Sequence, residues 1–268
     1  MKKIIILVFA AISFLSCERN ALTHRNQLSI VSESEVQAMA LTQYSTFLST
    51  NKVVNAVSNK NADMVKRVGN RLITAITKYG NENNLSKQLA AYQWEINLVE
   101  DKSINAWCMP GGKIVVYTGL LPVTQNETAL AIVMGHEIAH AIAEHGKERM
   151  NNGLAQQLGG VALQVAIKDK PSETQNLFNT AYGVGSSIGV MLPFSRKNEL
   201  EADKFGLMFA ALSGYDPREA IPFWTRMSQQ GGQKPPEFLS THPSDERRIA
   251  DLQAIMNETV SKYYKPVK

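Results

Sequence analysis

Five consecutive residues, His136-Glu137-Ile138-Ala139-His140, have the types and spacing that metal-assisted hydrolysis requires. Residues four apart on an α-helix differ by only about 40° in direction, so His136 and His140 project from one face. Two imidazoles on one face can give two nitrogens to a single zinc ion, with Glu137 beside them as general base. The blander alternative is two helix-surface histidines and an unrelated glutamate. The apolar stretch Ala129–Gly135 argues against it. It would bury the segment, and buried imidazoles and carboxylates need partners.

A catalytic zinc takes three protein ligands and keeps one position open for water. A further histidine six residues after the second would stand at 146, where the chain has Gly146. If the helix continues, His145 is rotated about 180° from His136 and faces away. That leaves a carboxylate from another helix. In Glu199-Leu200-Glu201-Ala202-Asp203, Glu199 and Asp203 share a face and Glu201 lies roughly opposite. Glu199 as ligand, with Asp203 orienting a ligand histidine, is chemically sound. A solvated acidic helix start, favoured by the helix dipole, fits the same spacing.

The elements that must hold these residues are mostly helical. Helical periodicity is expected over about 34–57 and 62–79, where Met64, Val65, Val68, Leu72, Ile73 and Ile76 form one stripe. Trp94–Val99 and Lys113–Tyr117 read as short strands, with Pro110-Gly111-Gly112 as the turn before the second. Asn126 is an apt N-cap for a helix over 127–144, with Gly146 as its stop. Further helices are expected at 195–212, 218–228 and 244–262. Residues 151–194 read as two amphipathic helices around Lys168-Asp169-Lys170-Pro171, either core packing or a cover for the site. The fold class is mainly α with a small β-sheet, an α+β domain. Trp94, Trp107, Trp224 and the methionines read as core, and Cys108 as a small buried hydrophobe.

The chain of 268 residues is 44% hydrophobic and 19% charged, enough for a real core. Lys plus Arg total 28 against 24 for Asp plus Glu, an excess too small and scattered to suggest nucleic acid. Two cysteines exclude a disulfide framework and a four-cysteine zinc site. Met1-Lys2-Lys3 precedes an apolar stretch, Ile4–Leu15, interrupted only by Ser13. That is too short to span a bilayer and suits a secretory signal. It ends in Phe14-Leu15-Ser16-Cys17, which resembles the bacterial lipobox, with Cys17 receiving lipid. The expected organisation is a lipoprotein signal peptide at 1–16, a polar lipidated tether at 17–33 and a metallopeptidase domain at 34–268. The expected location is the bacterial cell envelope, facing the periplasm and most simply at the outer membrane.

Four blocks extend the pattern in order: Asn105–Leu121 (NAWCMPGGKIVVYTGLL), His136–Met150 (HEIAHAIAEHGKERM), Ser195–Gly206 (SRKNELEADKFG) and Ser240–Ile249 (STHPSDERRI). Through them the chain resembles the zinc peptidase family of the heat-shock membrane protease HtpX and the type 1 CAAX prenyl protease, and most of all its soluble, periplasmic lipoprotein branch. The resemblance implies a gluzincin-type domain, one zinc per chain and Glu199 as third ligand, with Glu201 as the fallback. It also implies that His242 sits near the metal, occluding it or stabilising an oxyanion, with Arg248 as a supporting cation. The HtpX and prenyl-protease members carry membrane spans, and this chain shows no such stretch, which argues against prenylated substrates.

The expected reaction is peptide-bond hydrolysis, with Glu137 moving a proton from a zinc-activated water to the leaving amine. Lys113, Ile114, Val115, Val116 and Tyr117 are the expected edge to which an extended substrate adds as a strand. Such pairing tolerates many side chains and would suit misfolded or unassembled envelope proteins, in touch with envelope assembly machinery. Contact with the membrane is expected through the lipid anchor alone. A chaperone that binds unfolded clients and rarely cuts them is the competing reading. The intact Glu137 favours chemistry, since a pure binder could lose it without penalty.

Overall fold

The computed structural model describes residues 16–168, 192–230 and 246–266. The helix that carries the histidine pair, α5 (Glu127–Ile142), is the centre of the packing. Asn126 caps it by accepting from the Ala129 amide, and almost every one of its side chains is buried. A helix that is apolar all round has no solvent face, so neighbours must cover it on every side.

Before it in the chain come β1 (Ser16–Arg19), β2 (Asn26–Ser29), α1 (Glu33–Thr50), α2 (Lys60–Glu82), α3 (Ser86–Ala90), β3 (Glu95–Val99), β4 (Ala106–Met109), β5 (Lys113–Tyr117) and α4 (Leu121–Thr124). After it come α6 (His145–Ile167), α7 (Leu192–Leu212), α8 (Ala220–Gln229) and α9 (Glu246–Tyr263). The class is α+β, as expected. No helix among the described residues is long and apolar enough to cross a membrane.

The three-stranded sheet has the order β3-β5-β4, with β3 parallel and β4 antiparallel to β5. This corrects the expected substrate edge. Lys113, Ile114, Val115, Val116 and Tyr117 form the central strand, paired on both sides and buried throughout. Ile114 and Val116 face the main core with α2 and α5. Val115 and Tyr117 face Tyr44, Phe47 and Leu48 of α1. Even Lys113 is buried, its ammonium donating to the Gln93 carbonyl at 2.7 Å. The edge strands are β3, whose outer side meets residues 52–54, and β4. The β4–β5 turn passes through Gly111 and Gly112 at φ +84° and +87°, and a Cβ at Gly112 would strike the Trp94 ring at 2.7 Å.

Helices α5 and α7 cross at contact distance of their backbones. A Cβ at Gly135 would lie 2.8 Å from the Gly206 carbonyl oxygen, and one at Gly206 would lie 2.8 Å from both N and Cα of His136. Only glycine at both positions permits this approach. It brings Asp203 and Glu199, one and two turns back along α7, against the histidines. Gly206→Ala is therefore expected to destabilise by about 1–3 kcal/mol, the usual cost of overpacking, read by denaturant melts. Gly153→Ala, where a methyl meets nothing within 4 Å, should be neutral or slightly stabilising.

The segment expected to be a polar tether is an antiparallel hairpin, β1–β2, packed on the domain. Asn20 donates to the Ile142 carbonyl at 3.0 Å and Gln27 to the Ala143 carbonyl at 2.8 Å. These are C-terminal carbonyls of α5, which a helix cannot satisfy from within. Cys17 lies in β1 and is exposed.

Candidate metal centre and catalytic cleft

His136 Nε2 and His140 Nε2 lie 3.0 Å apart, and Glu199 places one carboxylate oxygen 3.4 Å from the first and the other 3.3 Å from the second. A tetrahedral zinc with bonds of about 2.0–2.1 Å separates its ligand atoms by about 3.3 Å. The donor set and its spacing therefore fit zinc. Among the described residues this is the one group of three or more metal-ligating side chains close enough to hold an ion.

Each histidine is oriented from behind. His136 Nδ1 is 2.9 Å from Asp203 Oδ1. Arg248 grips Asp203 with two bonds, Nε to Oδ2 at 2.8 Å and Nη2 to Oδ1 at 2.6 Å. Its guanidinium lies 3.5 Å from the centre of the Trp224 ring. Burial opposes the charge on His136, but Asp203 and Glu199 together hold its pKa at about 9. Burial also works against the Asp203 carboxylate, and the Arg248 charge with the His136 bond outweighs it, so that pKa falls below the usual range.

This placement corrects the expectation for Arg248. It is buried behind the ligands, stacked and paired, and supports Asp203 rather than a reacting oxygen. His242 lies outside the described residues, as does the stretch 169–191 of the segment expected to fold over the site.

Glu201, the fallback ligand, faces away from the triangle. It pairs with Arg25 at 2.6 Å and with His145 Nε2 at 3.1 Å. His145 does not face away as helical continuity would require. Helix α5 ends at Ile142, and Glu144 turns the chain at φ +57°. His145 then folds back until its Nδ1 lies 2.9 Å from His140 Nδ1.

His140 of the triangle lines a cleft of about 290 Å³, together with Glu137, Glu144, Lys147, Glu33 and residues 105–108 at the β4 edge. Burial, reinforced by the nearby Glu144 charge, raises the pKa of Glu33 to about 7, though Gln37 and Lys147 oppose this. One Glu33 oxygen is buried with no hydrogen-bond partner. A carboxyl whose folded pKa is raised favours the protonated fold, so its penalty grows between about pH 4.5 and 7 and stays above. Glu33→Gln should therefore leave stability unchanged near pH 4 and raise it by about 1–3 kcal/mol at pH 8, read by melts at both pH values. Cys108 also lines the cleft, and burial pushes its thiol pKa well up, so it is no ready thiolate.

Residues 59–256 match the model of peptidase family M48. The chain belongs to that family. Over 184 residues the M48 domain is 38% identical to the mitochondrial metalloendopeptidase OMA1 of Arabidopsis thaliana, covering 68% of this chain and 36% of that protein. Over 172 residues it is 36% identical to OMA1 of Schizosaccharomyces pombe, covering 63% and 49%. Over 168 residues it is 30% identical to the beta-barrel assembly-enhancing protease of Escherichia coli O157:H7, covering 60% and 34%. The chain thus spans between a third and a half of the length of these relatives. Every described residue of the triangle and its supports, apart from Arg25, falls inside the M48 match.

The relatives also correct the expected location. Mitochondrial enzymes of plant and yeast are more similar to this M48 chain than the bacterial assembly protease is. A periplasm-facing place in a bacterial envelope therefore does not stand.

Proposed function

We propose that this chain is a zinc-dependent endopeptidase that cuts extended segments of misfolded or unassembled proteins. The observation that carries the reading is the His136–His140–Glu199 triangle, spaced for zinc and opening beside Glu137 into a cleft that runs along a sheet edge. His136, His140 and Glu199 would hold the zinc, which would supply Lewis acidity and lower the pKa of a water from about 16 towards 7. Glu137, next to His140 in the cleft, takes that water's proton and delivers it to the leaving amine. The outer side of β4, residues 106–109, offers backbone groups to a substrate strand, the role first expected of β5.

Recognition through backbone pairing selects for extended chain rather than for one side chain, which suits unfolded clients. The Escherichia coli relative, named for its part in β-barrel assembly, supports substrates caught before assembly. The test is cleavage of unfolded casein by the full chain before and after a zinc chelator. Cleavage should vanish on chelation and return with about one equivalent of zinc. Cleavage that ignores the chelator would sink the reading.

A further inference from the structure

The mechanism above uses the front of the metal triangle and the Asp203–Arg248 support behind His136. A second chain of buried and partly buried polar groups stands behind His140, and no part of it is needed for the chemistry itself. His140 Nδ1 and His145 Nδ1 are 2.9 Å apart, His145 Nε2 meets Glu201 at 3.1 Å, and Glu201 meets Arg25 Nε at 2.6 Å. The other side of the Arg25 guanidinium forks onto Glu148, with both bonds at 2.7 Å. His145 and Glu148 are each only 2% exposed.

We propose that His145, Glu201 and Arg25 are positioning residues for the metal ligand His140, so that the N-terminal hairpin completes the metal centre from outside the segment that matches the peptidase family. The inference rests on the reading of His136, His140 and Glu199 as zinc ligands. The hydrogen-bond logic runs one way along the chain. A ligand imidazole that gives Nε2 to a metal carries its proton on Nδ1, so His140 donates to His145 Nδ1. His145 must then carry its own proton on Nε2 and donate it to Glu201. Glu201 is an acceptor only, and Arg25 supplies the charge that keeps it so. Each member thereby fixes the tautomer of the next, and the ring plane of His140 is set before any metal arrives.

Arg25 of the hairpin is partly buried and shared between Glu148 and Glu201. Its Asn20 and Gln27 hold the last carbonyls of α5, immediately beyond His140, while Arg25 reaches through to α6 and α7. Three elements that carry the site are thus tied together by residues 20–27. The family match begins only at residue 59, so a fragment cut to that boundary would lack the end of the chain of bonds.

The test measures zinc affinity of the full chain by competition with a chelating dye, and the visible spectrum of the cobalt-substituted protein. His145→Ala should weaken zinc binding by about 10–100-fold, the usual effect of losing a ligand's outer partner. The isosteric Glu201→Gln and the peripheral Arg25→Ala should weaken it less, and Arg25→Lys should recover part of the Arg25→Ala loss. The cobalt bands should shift in His145→Ala and Glu201→Gln, which a merely structural role would not produce. Arg67→Ala, which removes an exposed pair with Glu127 far from the site, should leave both readouts at wild type. Wild-type affinity and spectrum in both His145→Ala and Glu201→Gln would overturn the inference. Failure of the wild type to bind zinc at all would instead overturn the metal reading under it.

Discussion

Replacing Glu137 by Gln is expected to lower casein cleavage by about 10²–10⁴-fold while zinc content stays at wild type. The substitution keeps shape and hydrogen-bonding capacity and removes only the basic carboxylate. Glu137 lines the cleft beside His140, yet it is not a corner of the His136–His140–Glu199 triangle. Its loss should therefore act on the proton transfer and not on the metal. A drop of that size is about 3–5 kcal/mol of barrier, well above what a packing change at the same place would do to an intact fold. Binding of the unfolded substrate should be unchanged, since the β4 edge is untouched. Equal cleavage by both proteins would show that Glu137 is not the base. Binding without cleavage by either would favour the client-binding reading over the peptidase.

Much of the centre is legible because helix periodicity is rigid. The spacing of His136 and His140 and that of Glu199 and Asp203 each fix a shared face, and the structure brings those two faces together. The close crossing that joins them depends on Gly135 and Gly206, which carry no signal of their own until the two helices are paired. Helix ends are harder to read. The stop after α5 was expected at Gly146, but the turn falls on Glu144, a non-glycine residue in the left-handed region. One misplaced turn reversed the reading of His145.

The sheet edge was missed for a different reason. Lys113–Tyr117 has the stronger β composition, but an unbroken Ile-Val-Val run is the mark of a strand covered on both faces, and that strand is central. Ala106–Met109, the edge strand that lines the cleft, has no alternation to announce it. The hairpin at 16–29 looked like a tether because it is polar. Its polar side chains are buried against helix-end carbonyls and a buried carboxylate, a use of polarity that hydropathy cannot register.

Arg248→Ala is expected to cost about 3–5 kcal/mol of stability, the range for stripping one partner from a buried ion pair, and to weaken zinc binding by about 10–100-fold. Both effects have one source. Arg248 makes two short bonds to Asp203, stacks on Trp224 and sits 3.3 Å from His136 Nδ1. Truncation leaves Asp203 buried with His136 as its one remaining close partner among the described residues, and a void over the Trp224 ring. The pH dependence separates this from simple loss of packing. Asp203 has a folded pKa below its unfolded value, so its stabilising contribution is full above about pH 4 and is lost as pH falls through the folded pKa. The stability gap between wild type and Arg248→Ala should thus be widest near neutrality and narrow as acid protonates Asp203, which does so at higher pH in the variant because the Arg248 charge no longer offsets burial. A gap that stays constant to acid pH would mean the guanidinium acts as filler on Trp224. Arg248→Lys supplies the second discrimination. It restores a charge but not the planar fork, so it should recover part of the stability and little of the zinc affinity, because His136 is oriented by the geometry of the Asp203 carboxylate and not by the sign of the charge behind it.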